Sequence, residues 1–193
     1  MFRSYASARS SYNPTILEAV HASWATPGIF SSIRLGANLM REEIVSAVNG
    51  FNNPALEVIK EAKDIFGKER RVSCLLSLGA GQAEVRSTAS KDYTIKTAQD
   101  TETIARESQR RLGSLGIYFR FSVERGMDLE CAIGEETFGA IATHTSVYLE
   151  GDDNAKRLDR FITISGSTNR VTLDHLCELF ARFVGPRLLL LSL

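Results

Sequence analysis

Residues that could do chemistry were sought first, by type and spacing. An acyl-transfer enzyme on an α/β sheet carries its nucleophile on a Gly-x-Ser-x-Gly elbow, because the sharp turn needs glycine two residues either side of the serine. Ser77 has Gly79 two residues after it but Leu75 two before, and Ser114 has Gly116 after it but Leu112 before. None of the serines fits that elbow. The histidines, His21, His144 and His175, are far apart and form no HxxxH or HExxH pattern, so they read as structural or surface residues. Cys74, Cys131 and Cys177 form no CxxC, and read as reduced thiols of an intracellular protein, two of them inside apolar runs. Gly79-Ala80-Gly81 follows an apolar run, but Glu84 stands where a dinucleotide-binding turn has its third glycine. A carboxylate there would oppose a pyrophosphate. No cofactor and no metal is expected. The remaining stretch is SAVNGFNNPALEVIKEA, residues 46–62, where a strand end and a turn run into a helix. α/β proteins often place chemistry at such junctions.

The elements that must position these residues follow from periodicity. Residues 14–22 read as a short helix with Asn13 as cap and Pro14 at its first position. Residues 33–35 and 44–48 read as short strands. The spacing predicts a helix over 54–66, capped by Asn53 and started by Pro54, with Ala55, Val58, Ile59, Ala62 and Ile65 on one stripe and Gly67 closing it. VSCLLSLGAG, residues 72–81, reads as a strand buried on both faces, as in a parallel sheet. Residues 82–95 read as a loop, 96–112 as an outer helix with a thin apolar stripe, and 117–123 as a strand. Helices are predicted over 137–149, 154–164 and 172–184, the last with Leu173, Leu176, Cys177, Phe180 and Phe183 on one side, followed by an apolar tail. Helix alternating with buried strand is α/β organisation.

Composition limits the function classes. The chain of 193 residues carries 23 Lys plus Arg and 23 Asp plus Glu, so its formal net charge is zero. Binding to nucleic acid through phosphate neutralisation needs a basic surface, and no nucleic-acid partner is expected. No run reaches the roughly 20 apolar residues that span a bilayer. The opening MFRSYASARSSYNP has no apolar core of a secretory signal. The expectation is one domain in the cytoplasm, with peripheral membrane association as its variant.

Four stretches then resemble, in order, patatin-like phospholipases. ILEAVHASWATPGIF, residues 16–30, is similar to a family helix of the form WEAARATSAAPTFF, with Glu18, Ala19, Ala22, Ala25, Pro27 and Phe30 matching. IVSAVNGFNNPALEVIKEA resembles the fungal-branch landmark VDGALGFNNPV and its following helix, and VSCLLSLGAG resembles a strand ending in SIGTG. MFRSY resembles an F-R-(S/T)-Y strand end, and residues 118–121 and 143–149 resemble a YFRF strand and a later helix. The resemblance covers residues 2–150, with 151–193 as a helical extension. It implies a partial three-layer α/β/α sandwich of the patatin type, lacking the N-terminal strands, and hydrolysis of lipid acyl esters by a Ser–Asp dyad.

Two departures shape the functional expectation. The family's elbow and oxyanion glycines belong to its N-terminal half, which has no counterpart in residues 1–193. With Gly50, Phe51, Asn52, Asn53 and Pro54 aligned on GFNNP, the dyad aspartate falls on Ser46 and the glycine after it on Ala47. Asn49 resembles the acid only through a three-residue slip that destroys the FNNP match. Serine is a poor base, and losing a dyad member costs orders of magnitude in rate. The expectation is a truncated, inactive patatin-like domain with a vestigial site loop of Ser46, Ala47, Gly50, Asn52 and Asn53. The alternatives are a non-catalytic lipid- or protein-binding scaffold, and half of a split acyl hydrolase. Its expected partners are a lipid or membrane surface, or a protein, including a second copy, through an exposed sheet.

Overall fold

The computed structural model describes residues 2–5, 12–27, 29–36, 41–47, 51–81, 91–124, 135–167 and 171–181. It is a mixed helix-and-strand chain with small sheets, compatible with the α/β class. The chain divides into two compact units, residues 1–52 and 53–193.

In the first unit, helix α1 runs Ile16–Trp24 and hairpin partners β1 (Ile33–Leu35) and β2 (Glu42–Ile44) pair antiparallel, Ile33 opposite Ile44. The cap of α1 is Thr15 rather than Asn13. Its hydroxyl accepts from the Glu18 N–H while the Glu18 carboxylate accepts from the Thr15 N–H at 2.8 Å. This reciprocal box satisfies two donors at once, which Asn13 with Pro14 after it could not do. The same contacts hold the Glu18 carboxyl below its ordinary range, the Thr15 N–H first. Ala22 on α1 and Leu35 on β1 are buried. Strand β2 falls earlier than the predicted 44–48, because Ile44 is the strand's last residue and Ser46 turns to a different partner.

In the second unit, helix α2 runs Ala55–Phe66. Asn53 caps it as expected, its Oδ1 accepting the Ala55 N–H at 3.3 Å, although Pro54 occupies the cap position itself rather than the first turn. Gly67 closes the helix at φ +81°, a conformation that suits glycine, and donates to the Lys63 carbonyl at 3.0 Å. The predicted stripe is uneven: Ala55 and Ile59 are buried, whereas Val58 and Ile65 are exposed.

Strand β4 (Leu75–Leu78) leads through α3 (Lys91–Leu112) to β5 (Tyr118–Phe121), which pairs parallel with β4 with Leu75 opposite Tyr118 and Leu78 opposite Phe121. That is a strand–helix–strand crossover, compatible with the α/β class expected from a helix followed by an apolar strand. Helix α3 begins five residues earlier than predicted, inside the stretch read as a loop. Its inner face is Ala105, Ser108 and Leu112, so a buried serine extends a stripe that looked thin.

Helices pack on both faces of this pair. On the Tyr118 side, Ile59 of α2, Leu112 and Ile117 join Leu173, Leu176 and Phe180 of α6 (Leu173–Ala181). On the Phe119 and Phe121 side lie Tyr148 and Leu149 of α4 (Glu135–Glu150) and Leu158, Phe161 and Ile164 of α5 (Asp152–Ser165), with Phe161 edge-on to Phe119 at 5.5 Å. A two-residue pairing of β3 (Arg71–Val72) with β6 (Val171–Thr172) brings α6 onto α2, where Lys63 and Asp174 form an ion pair at 2.5 Å.

The expectation that residues 72–81 are buried on both faces does not hold. Leu76 is 41% and Leu78 73% exposed. The α5 cover extends over β5, and among the described residues nothing pairs with the far edge of β4. Phe183, Val184, the apolar tail and Cys131 lie outside the described residues.

Candidate functional site

Ser46 stands where the resemblance puts the dyad acid. It follows β2 and is buried, 4% exposed. Its N–H donates to the Ala25 carbonyl at 2.9 Å, and its hydroxyl shares a hydrogen bond with the Thr26 hydroxyl at 3.2 Å. The end of α1 and the strand after it are therefore tied through residue 46. Among the described residues its side chain has no carboxylate or imidazole partner, so nothing there could raise its nucleophilicity. The Ala47 carbonyl accepts from the Phe51 N–H at 3.1 Å. Gly50 lies outside the described residues. Asn52 is half-buried in the first unit, while Asn53 belongs to the second, buried and donating to the Thr101 carbonyl at 3.4 Å while capping α2. Of the four described loop residues, Ser46, Ala47 and Asn52 fall in the first unit and Asn53 in the second.

The other residues singled out by type are likewise occupied or dispersed. Ser77 lies within β4, not on a turn, and its hydroxyl accepts from Arg120 at 3.0 Å. Gly79 exists for close approach: its N–H donates to the Phe121 carbonyl at 2.8 Å, and a Cβ there would collide with Ser122. The dinucleotide-like turn is a strand exit packed on β5. Cys74 and Cys177 are free and half-buried against the two cores, and burial pushes both thiols up, away from the reactive thiolate. His144 and His175 are exposed, and His21 faces the Ser31 carbonyl at 3.3 Å. Among the described residues no group of histidine, cysteine or carboxylate side chains could hold a metal ion.

A cleft that sequence reasoning missed lies in the second unit. An open surface depression of about 510 Å³ is lined by Glu102, Ala105, Arg106, Gln109 and Arg110 of α3, Tyr118 and Arg120 of β5, and Arg157 of α5. The α3 residues recur three or four apart and so share one helix face, and Tyr118 and Arg120 share one strand face. Both spacings are in the sequence; the facing of one on the other is not. Arg120 is held by Glu102 at 2.9 Å, and Arg110 by Glu107 at 2.7 Å. Arg157 donates to the Arg120 carbonyl at 2.7 Å and stacks over Phe121 at 5.4 Å.

Against known proteins, no family model, no curated protein and no solved structure matches the chain.

Proposed function

We propose that the chain is a non-catalytic protein of patatin-like, lipid acyl-hydrolase type, in which residue 46 has a structural role. The observation that carries this reading is the burial of Ser46 with its hydroxyl on Thr26 and its N–H on Ala25. A working general base must reach substrate or nucleophile, and this group reaches neither solvent nor a titratable partner. The order of helix α1, the FNNP turn, helix α2 and a strand ending in SLGAG supports the family resemblance, and the β4–α3–β5 crossover is consistent with the α/β part of it. The full three-layer sandwich belongs to the proposal. Purified chain offered a p-nitrophenyl acyl ester should release nitrophenol at the rate of buffer alone; saturable turnover would defeat the reading.

One observation favours lipid-surface binding as the retained activity. On α1, Ile16, Leu17, Val20 and Trp24 fall at helical spacing and are 86, 79, 44 and 65% exposed. An exposed apolar stripe with a tryptophan suits the interfacial region of a bilayer. Among the described residues no helix is long and apolar enough to cross a membrane, so contact would be peripheral. Trp24 is the sole tryptophan of the sequence, and its emission should shift to the blue on titration with phosphatidylcholine vesicles. An unshifted spectrum at saturating lipid would exclude this role for α1.

A further inference from the structure

We propose that the cleft between α3, β5 and α5 binds a phosphate monoester. The inference does not depend on the reading of Ser46, since every residue it uses lies in the second unit. The chain as a whole is neutral, yet four arginines line this one depression. Two of them have carboxylate partners: Arg120 has Glu102, and Arg110 shares Glu107 with Arg111. Arg106 has no carboxylate partner among the described residues, and Arg157 meets only a backbone carbonyl and a ring face. Among the described residues two positive charges are thus left over, on separate helices. A phosphate monoester carries roughly −1.5 to −2 charge near neutrality and offers three acceptor oxygens to forked guanidinium donors.

Tyr118 supplies an independent observation. It lines the cleft and is 5% exposed, and its hydroxyl is sealed from solvent with no hydrogen-bond partner among the described residues. A buried hydroxyl without an acceptor costs roughly 1–3 kcal/mol. A ligand oxygen would supply that acceptor once the side chains that seal the hydroxyl give way, and Gln109, which also lines the cleft, adds a neutral donor. The stems of the arginines, Ala105 and the Tyr118 ring provide apolar wall for the organic part of the ester. A phosphate monoester can be a soluble metabolite or the headgroup of phosphatidic acid; the recognised chemistry is the same.

The test is calorimetric titration of the full chain with glycerol phosphate, inorganic phosphate and acetate, beside vesicles with and without phosphatidic acid. Saturable binding of the phosphate species, with acetate at least about tenfold weaker, is expected. A soluble source shows as glycerol phosphate binding with no preference for phosphatidic acid, and a lipid source as the reverse. Arg106→Gln should weaken either by roughly tenfold, and Tyr118→Phe by roughly three- to tenfold. Without ligand, Tyr118→Phe should be at least as stable as the parent by thermal melting, because it removes an unpaired group. Arg106 is exposed, so its substitution leaves folding intact, and circular dichroism of both variants checks this. No saturable binding of any phosphate species, equal affinity for acetate, unchanged binding by Arg106→Gln, or a destabilised unliganded Tyr118→Phe would each overturn the proposal.

Discussion

Replacing Ser46 by alanine removes one hydroxyl and nothing else, because the backbone N–H that donates to Ala25 is retained. The bond lost is the 3.2 Å contact with the Thr26 hydroxyl. Thr26 is half-buried, so its hydroxyl can recover water in part, and the net loss is about 1 kcal/mol. Ser46→Asp is the sharper perturbation. A carboxylate at a position 4% exposed, beside the Ala25 carbonyl, costs about 2–4 kcal/mol when ionised. Burial without a cation raises its folded-state pKa above the unfolded value of about 3.9. The penalty is therefore absent at low pH and grows as pH rises through the folded pKa, so this variant gains stability relative to the parent on acidification. Trp24 ends α1 next to Ala25 and reports the first unit by fluorescence in urea. With a slope of about 1 kcal/mol per M, Ser46→Ala should lower the midpoint by about 1 M. A cycle with Thr26→Val should show coupling of about 0.5–1 kcal/mol. Zero coupling, or a Ser46→Asp chain as stable at pH 8 as the parent, would refute a structural role for residue 46.

Three further expectations concern the second unit. Glu107→Gln should cost about 1–2 kcal/mol: the Arg110 guanidinium first, with Arg111 adding to it, holds the Glu107 carboxyl down to about 2, but Arg110 is 68% exposed and screened. Because that pKa is depressed, the stability is present above about 4.5 and lost as pH falls towards about 2, so acid titrations of parent and variant should converge there. Leu176→Ala empties a 1% exposed site between α6 and α2 and should cost about 2–5 kcal/mol by urea denaturation followed by circular dichroism. Asn53→Ala removes the acceptor for the Ala55 N–H and the donor to Thr101, and should cost about 1–2 kcal/mol in the same assay.

Helix α2 was legible because five apolar residues recur at helical spacing between Asn53 and Gly67, and local rules suffice for such a segment. Helices α4 and α5 fall within two residues of the expected 137–149 and 154–164. The cap of α1 was legible too, as Thr15 followed three residues on by Glu18, but Pro14 invited a helix one turn position earlier. Strands β3 and β6 were not legible, since two residues carry no periodicity and their pairing joins positions about 100 residues apart. Leu78 read as core because it ends an apolar run, and its exposure depends on where α5 stops covering the sheet. The same limit applies to the sites. Ser46 in place of an acid was visible in sequence; that its hydroxyl is tied to Thr26 required the first unit to be folded. The arginine cleft needed three elements, each unremarkable alone.

Labelling of the purified chain with a fluorophosphonate probe, read by intact mass, tests the central claim most directly. A chain whose residue 46 is structural and whose serines lie off any nucleophile elbow should gain no adduct at a probe concentration that saturates an active serine hydrolase. A stoichiometric adduct on one serine, abolished by substituting that serine, would contradict the account.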